Sequence, residues 1–219
     1  MKFFSFWRSL ASFRVRIALN CKNLPADVVF VDLDADAHRA EEYRRLNPQM
    51  ALPSLVLDDG TVLFQSLAIL EYLEETHPTP PLLPADPRGR ARVRGLAQIV
   101  ACEGHPLLVP RVRRYLDHEL NLRDTQQAAW RRHWTVETLA ALEGHLGGHQ
   151  ETGRFCHGDA PTFADICLVT HVQAANMQKI ALDRWPTVQR IWQTAMALPE
   201  FAKASPLVQP DTPEAMRVK

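Results

Sequence analysis

Residues 6–20 read FWRSLASFRVRIALN: Arg8, Ser9 and Ser12 crowd the start of a stretch that continues as an amphipathic helix. Two chemistries suit that crowding. A serine oxygen can cap a backbone N–H that lacks an intrahelical partner. Free amides, the positive end of the helix dipole and a guanidinium can equally form an anion site. Gln65-Ser66 stands at a second helix start, with Ser66 read as its cap, and offers a hydroxyl and free amides to a carboxylate. Leu52-Pro53 directly precedes a strand. A proline there marks a strand start or forms a cis bond, and a cis bond would turn the Leu52 N–H and C=O toward an extended peptide. Together these ends suit a small, anionic, peptide-like ligand. Farther on, ACEGHPLLVPRVRRYL puts His105 close to Arg111, which reads equally as a solvated helix residue or as part of a carboxylate-binding wall. His38, at the opening of a short surface helix, reads as an exposed polar residue.

The elements that must position these residues differ between the two parts of the chain. Up to about residue 84 the order is βαβαββα: strands over 2–6 and 27–33, helices over 9–22 and 38–46, then LPSLVLDDGTVLF with Asp59-Gly60 as a two-residue hairpin turn, and a helix from Ser66 that stops before Pro78. In such a unit the first strand's end and the next helix's start lie at the edge where open α/β sheets bind ligands, and Arg8 and Ser9 fall there. THPTPPLLPADP, residues 76–87, carries five prolines and reads as a stiff connection. Beyond it the patterns are helical, over roughly 87–118, 123–148, 161–178 and 187–198. The expected domains are therefore 1–84, α/β, and 85–219, all-α. In PTFAD, Thr162 and Asp165 have the spacing of a capping box, so Asp165 reads as structural. The apolar residues that follow go nearly all the way round, as on a central helix.

Bulk properties exclude several classes. The 219 residues balance 25 Lys and Arg against 25 Asp and Glu, so no global field draws the chain to nucleic acid or to an anionic membrane. Cys21, Cys102, Cys156 and Cys167 lack metal-ligand or dithiol spacing and read as small buried apolar residues, with no metal expected. Arg8 interrupts the N-terminus before any signal-length apolar run, and the expectation is a soluble, cytoplasmic protein.

The stretches FWRSLASFRVRIALN, NPQMALPSLVLDDGTVLFQSLAILEYLEETHP, ACEGHPLLVPRVRRYL and GDAPTFADICLV, in this order and spanning nearly the whole chain, resemble the zeta class of glutathione transferases, among them the maleylacetoacetate and maleylpyruvate isomerases. The resemblance implies a thioredoxin-like N-terminal domain, an all-α C-terminal helical domain and a homodimer. It implies glutathione as cofactor, with Ser9 donating to its sulfur, Leu52 pairing with its cysteinyl part, and Gln65 and Ser66 holding its γ-glutamyl carboxylate. Ala11, His38, Pro53 and His105 are the remaining implied glutathione contacts. Arg8, His105 and Arg111 are implied to meet the substrate, the two arginines at its carboxylates. The implied reaction is isomerisation of a maleyl-type diacid from aromatic catabolism by thiolate addition, bond rotation and elimination.

This chain departs from the family pattern at several positions. Leu10 and Ala11 stand where relatives carry polar residues and a cysteine, Leu108-Val109 where isomerases tend to carry asparagines, and Asn176-Met177 where paired arginines are frequent. These changes keep two alternatives open: a glutathione transferase or dehalogenase acting on a less acidic electrophile, and a non-catalytic binding protein on the same fold.

Overall fold

A computed structural model describes residues 1–218. Its first compact unit comprises Met1–Pro81 together with the segment from Ala197 onward, and its second comprises Leu82–Met196. The division between the units lies between Pro81 and Leu82. The last segment, which the sequence grouped with the helical part, packs with the α/β part instead.

In the first unit the order is β1 (Lys2–Ser5), α1 (Leu10–Cys21), β2 (Asp27–Phe30), α2 (Glu41–Leu46), β3 (Ser54–Val56), β4 (Val62–Phe64) and α3 (Ser66–Thr76). The sheet order is β2-β1-β3-β4. β1 and β2 are parallel, joined through α1, while β3 runs antiparallel to both β1 and β4. Side chains alternate across the sheet, so Phe3 is buried on one face while the Phe4 ring meets Tyr43 of α2, centroids 5.8 Å apart, on the other. Ile17, Leu55, Ile69, Leu70 and Leu73 are fully buried and complete this core. A short α9 (Pro199–Ala202) packs against α1.

Three local expectations change. The segment 38–46 is not one helix: a 3-10 turn, Ala37–Arg39, ends at Ala40, whose ψ of 146° breaks the helical path before α2. The β3–β4 hairpin is closed by the Leu57 N–H donating to the Thr61 carbonyl, 2.9 Å, leaving three loop residues rather than two. Gly60 takes the left-handed conformation that loop requires, φ 88°. Gln65, not Ser66, occupies the cap position of α3.

The second unit holds α4 (Pro87–Gln98), α5 (Pro110–His118), α6 (Asp124–Leu146), α7 (Phe163–Met177) and α8 (Pro186–Met196). The single helix expected over 87–118 is interrupted by a π-turn, Ile99–Gly104, and a 3-10 turn, His105–Leu107. Pro106 and Pro110 have no amide to donate and cannot continue an α-helical ladder. Within the arginine-rich stretch 88–95, Arg92 donates to the Cys156 carbonyl, 2.6 Å, and the Thr152 hydroxyl, 2.9 Å, fastening the loop before α7. α7 is buried along most of its length, as its all-round apolar pattern implies. Cys156 and Cys167 are buried, but Cys102 is exposed and Cys21 lies between, so the expectation of four buried thiols holds for two. Among the described residues no helix is long and apolar enough to cross a membrane.

The capping box at the start of α7 is present. Fully buried Asp165 accepts from the Thr162 amide at 2.8 Å, the Thr162 hydroxyl at 2.7 Å and the Cys156 amide at 2.7 Å. Asp165→Ala removes the acceptor for all three donors and is expected to cost about 2–4 kcal/mol, read as a lower urea midpoint at unchanged m-value.

Candidate functional site

The sheet register brings four segments to one edge. Phe4 of β1 pairs with Ser54 at the start of β3, and Ser54 pairs in turn with Phe64 at the end of β4. Ser5 pairs with Phe30 at the end of β2. The chain therefore leaves β1 toward Arg8 and Ser9, leaves β2 toward Asp34 and His38, enters β3 through Leu52-Pro53, and leaves β4 toward Gln65-Ser66, all at the same end of the sheet.

Ser9 is the cap of α1: its Oγ accepts from the Ser12 amide at 3.2 Å. Capping engages Ser9 as an acceptor only, and its own proton has no acceptor among the described residues. The two chemistries open for this residue are thus compatible. Ser12 is fully buried and Ala11 is buried beside it in the first turn of α1. Arg8 is one-third exposed, lies over the Phe6 and Trp7 rings at 5.9 and 5.7 Å, and donates through Nη2 to the Asp34 carboxylate. His38 is buried rather than exposed, because the turn over Ala37–Arg39 folds it inward, with Nε2 3.9 Å from Asp36.

The Leu52-Pro53 bond is cis. The turn ahead of it is held by a buried network: the Tyr43 hydroxyl donates to the Ala51 carbonyl at 2.8 Å, the Asn47 amide donates to the same carbonyl at 2.9 Å, and both side chains reach the Ser54 hydroxyl. The Leu52 amide and carbonyl have no hydrogen-bond partner among the described residues. Gln65 sits at φ 68° with no side-chain cap on α3, and its side-chain amide donates to Gln49 at 2.9 Å, linking the start of α3 to the 47–53 turn. The Ser66 hydroxyl accepts from Arg14 at 3.1 Å inside the unit.

Two buried arginines, absent from the residues singled out by sequence, organise this edge. Arg14 runs from α1 to the start of α3. Arg16 gathers the β1–α1 loop: it donates to the Ser5 hydroxyl at 3.1 Å, the Phe6 carbonyl at 3.3 Å and the Trp7 carbonyl at 3.1 Å, and to the Ala204 carbonyl at 2.9 Å. Asp211 accepts from the Trp7 amide at 2.7 Å. Burial pulls the Arg16 guanidinium down to about 9, with nearby Asp211 acting in the opposite direction, so it remains charged at neutral pH. The only sequence signal for these roles was an arginine pair within an otherwise apolar helical run.

His105 and Arg111 belong to the second unit. His105 opens the 3-10 turn after the π-turn, and Arg111 lies exposed in the first turn of α5. The His105 turn is seated on α6: the Trp130 indole donates to the Leu107 carbonyl at 2.8 Å, and a Cβ on Gly104 would lie 2.3 Å from the Thr138 hydroxyl oxygen. A glycine is what allows that approach. Asn176 and Met177 are exposed at the end of α7. Among the described residues no group of three or more His, Cys, Asp or Glu could hold a metal ion.

Comparison with known proteins follows the same division. The glutathione S-transferase N-terminal domain family matches residues 8–76, and the C-terminal domain family matches residues 126–199. The maleylacetoacetate isomerase of Pseudomonas aeruginosa is 43% identical over 220 residues, covering 98% of this chain and 100% of the relative. The chain belongs to the glutathione S-transferases. Its fold is that of the zeta class: the holo structure of maleyl pyruvate isomerase, a bacterial zeta-class enzyme, superposes with a TM-score of 0.94 at 39% identity, covering 97% of this chain and 100% of that one. A maleylacetoacetate isomerase from Methylobacterium extorquens AM1, with bound malonate and GSH, superposes at 0.95 with 46% identity and the same coverage.

In this transferase the Arg16 cluster is the support of the loop that carries Arg8 and Ser9. Lysine cannot reproduce its forked donors. Arg16→Lys is expected to destabilise the protein by about 2–4 kcal/mol in urea unfolding, and to speed amide exchange at Trp7 ahead of that in β1.

Proposed function

We propose that this protein is a glutathione-dependent cis–trans isomerase of maleyl-type diacids, such as maleylacetoacetate or maleylpyruvate. The observation that carries the reading is the shared sheet edge, because its donor set fits the parts of glutathione in turn. Ser9 offers a hydroxyl proton at the start of α1, the unpaired Leu52 backbone matches a peptide edge, and the uncapped start of α3 at Gln65-Ser66 suits a carboxylate. Pro53, His38 and Ala11 border these groups in the same reading. Relatives named for maleylacetoacetate and maleylpyruvate isomerisation support the substrate class, and the relative with bound malonate and GSH supports a dicarboxylate ligand.

When bound, glutathione supplies a sulfur nucleophile whose reversible addition lets a cis double bond beside a carbonyl rotate to trans, and it is not consumed. The chain's own groups set the conditions. The positive end of α1 and the Ser9 hydroxyl favour a negative charge on sulfur. The Ser12 amide donates to the Ser9 oxygen, which leaves the Ser9 proton available to an incoming acceptor. Arg8 holds a carboxylate of the diacid, and within the helical unit Arg111 and His105 are proposed as substrate contacts. In the same reading residues 1–84 bind glutathione, Arg8 among them also meeting the substrate, and the helices between residues 85 and 196 contribute substrate contacts. A homodimeric particle and a cytoplasmic location belong to the same reading and rest on family membership.

Purified protein with catalytic glutathione is expected to convert maleylacetoacetate or maleylpyruvate to the trans isomer with no loss of free thiol. Ser9→Ala should lower kcat/KM by about 100-fold, a loss of roughly 2.7 kcal/mol of transition-state stabilisation. Absence of turnover on both substrates refutes the reading. Stoichiometric thiol loss with chloro-aromatics or α-haloacids would instead identify a transferase, for which the apolar Leu108-Val109 wall is suited.

A further inference from the structure

Arg8, the group assigned above to a substrate carboxylate, already holds a carboxylate of its own chain. We infer that Asp34 is a specificity-determining residue that tempers the grip of Arg8 on dicarboxylates; the inference rests on Arg8 meeting substrate.

Asp34 is aimed at Arg8 by local structure. Asp32 Oδ1 accepts from the Asp34 amide at 2.8 Å and from the Ala35 amide at 3.1 Å, a turn that folds the chain after β2 back toward the β1–α1 loop. Arg8 does not need Asp34 for its placement. Its guanidinium lies over the Phe6 and Trp7 rings, and the backbone of those two residues is fixed by Arg16 and Asp211. Asp34 takes a donor on Nη2 only, and the Arg8 guanidinium makes no other hydrogen bond among the described residues. With its side chain more than half exposed, the pair is weak and readily exchanged.

An incoming dianion therefore meets a cation that is partly neutralised and flanked by a like charge. That serves an isomerase. Substrate and product of a cis–trans isomerisation carry the same two carboxylates, so a tighter hold on carboxylates would strengthen ground-state and product binding alike and slow release. Asp34 removes that uniform part of the binding and leaves the guanidinium in place.

The test is calorimetric titration of malonate into the full-length protein saturated with glutathione, comparing the unaltered chain with Asp34→Asn, Asp34→Glu and Arg8→Gln. Asp34→Asn is expected to tighten malonate binding by about two- to five-fold, and to lower KM and the product inhibition constant to a similar degree at unchanged glutathione affinity. Asp34→Glu should return values near those of the unaltered chain. A gain in affinity is a readout that general loosening of the loop would not produce. If Arg8→Gln weakens malonate while Asp34→Asn leaves it equal or weaker, the role of Asp34 is refuted and the carboxylate role of Arg8 stands. If Arg8→Gln binds malonate as the unaltered chain does, or malonate does not bind at all, the assignment of Arg8 fails and this inference with it.

Discussion

The candidate site depends on one buried charge. Arg16 projects from α1 into the loop that precedes α1 and satisfies the Ser5 hydroxyl and the Phe6 and Trp7 carbonyls, while Asp211 takes the Trp7 amide from the other side. An unpaired guanidinium at this depth would be costly, and the same acceptors left without a donor would be costly too. The cluster is therefore favourable only when complete. Its completion fixes the path of the chain into Arg8 and Ser9 and draws in the C-terminal segment through Ala204. This accounts for a tail that packs with the α/β unit despite lying beyond the helices in sequence.

Hydrogen-bonding capacity explains how one serine serves two ends. Ser9 accepts from Ser12 and so completes the helix terminus, yet its proton remains to be donated. The α3 start works differently. Ser66 is drawn inward by Arg14, and Gln65, held at positive φ, takes the cap position without closing it. One helix start is capped and the other left open, an asymmetry suited to a ligand that presents a thiol to one and a carboxylate to the other.

Much of this was legible in the sequence because the signals were local. Alternation of strand and helix periods gave βαβαββα, and Thr162 and Asp165 gave the cap of α7. Arg8, Ser9, Leu52, Gln65 and Ser66 were legible as ends of elements. What could not be read was long-range. Arg14 and Arg16 look like the polar stripe of an amphipathic helix, and only the fold shows acceptors waiting in the interior. His38 looks exposed until the Ala37–Arg39 turn buries it, and the break at 99–109 sets Gly104 against Thr138, an approach that Pro106 alone does not announce. The pairing of Arg8 with Asp34 joins residues 26 positions apart and leaves no local pattern.

The account stands on a thiol that ionises at the start of α1 beside Ser9. The most direct measurement is the pH titration of thiolate ultraviolet absorbance for glutathione bound to the protein, with and without the Ser9 hydroxyl. The account predicts an apparent pKa well below the value of about 8.5 for a free thiol, moving back toward it in Ser9→Ala. Bound glutathione that titrates like the free tripeptide, or a depressed value indifferent to Ser9, would contradict it.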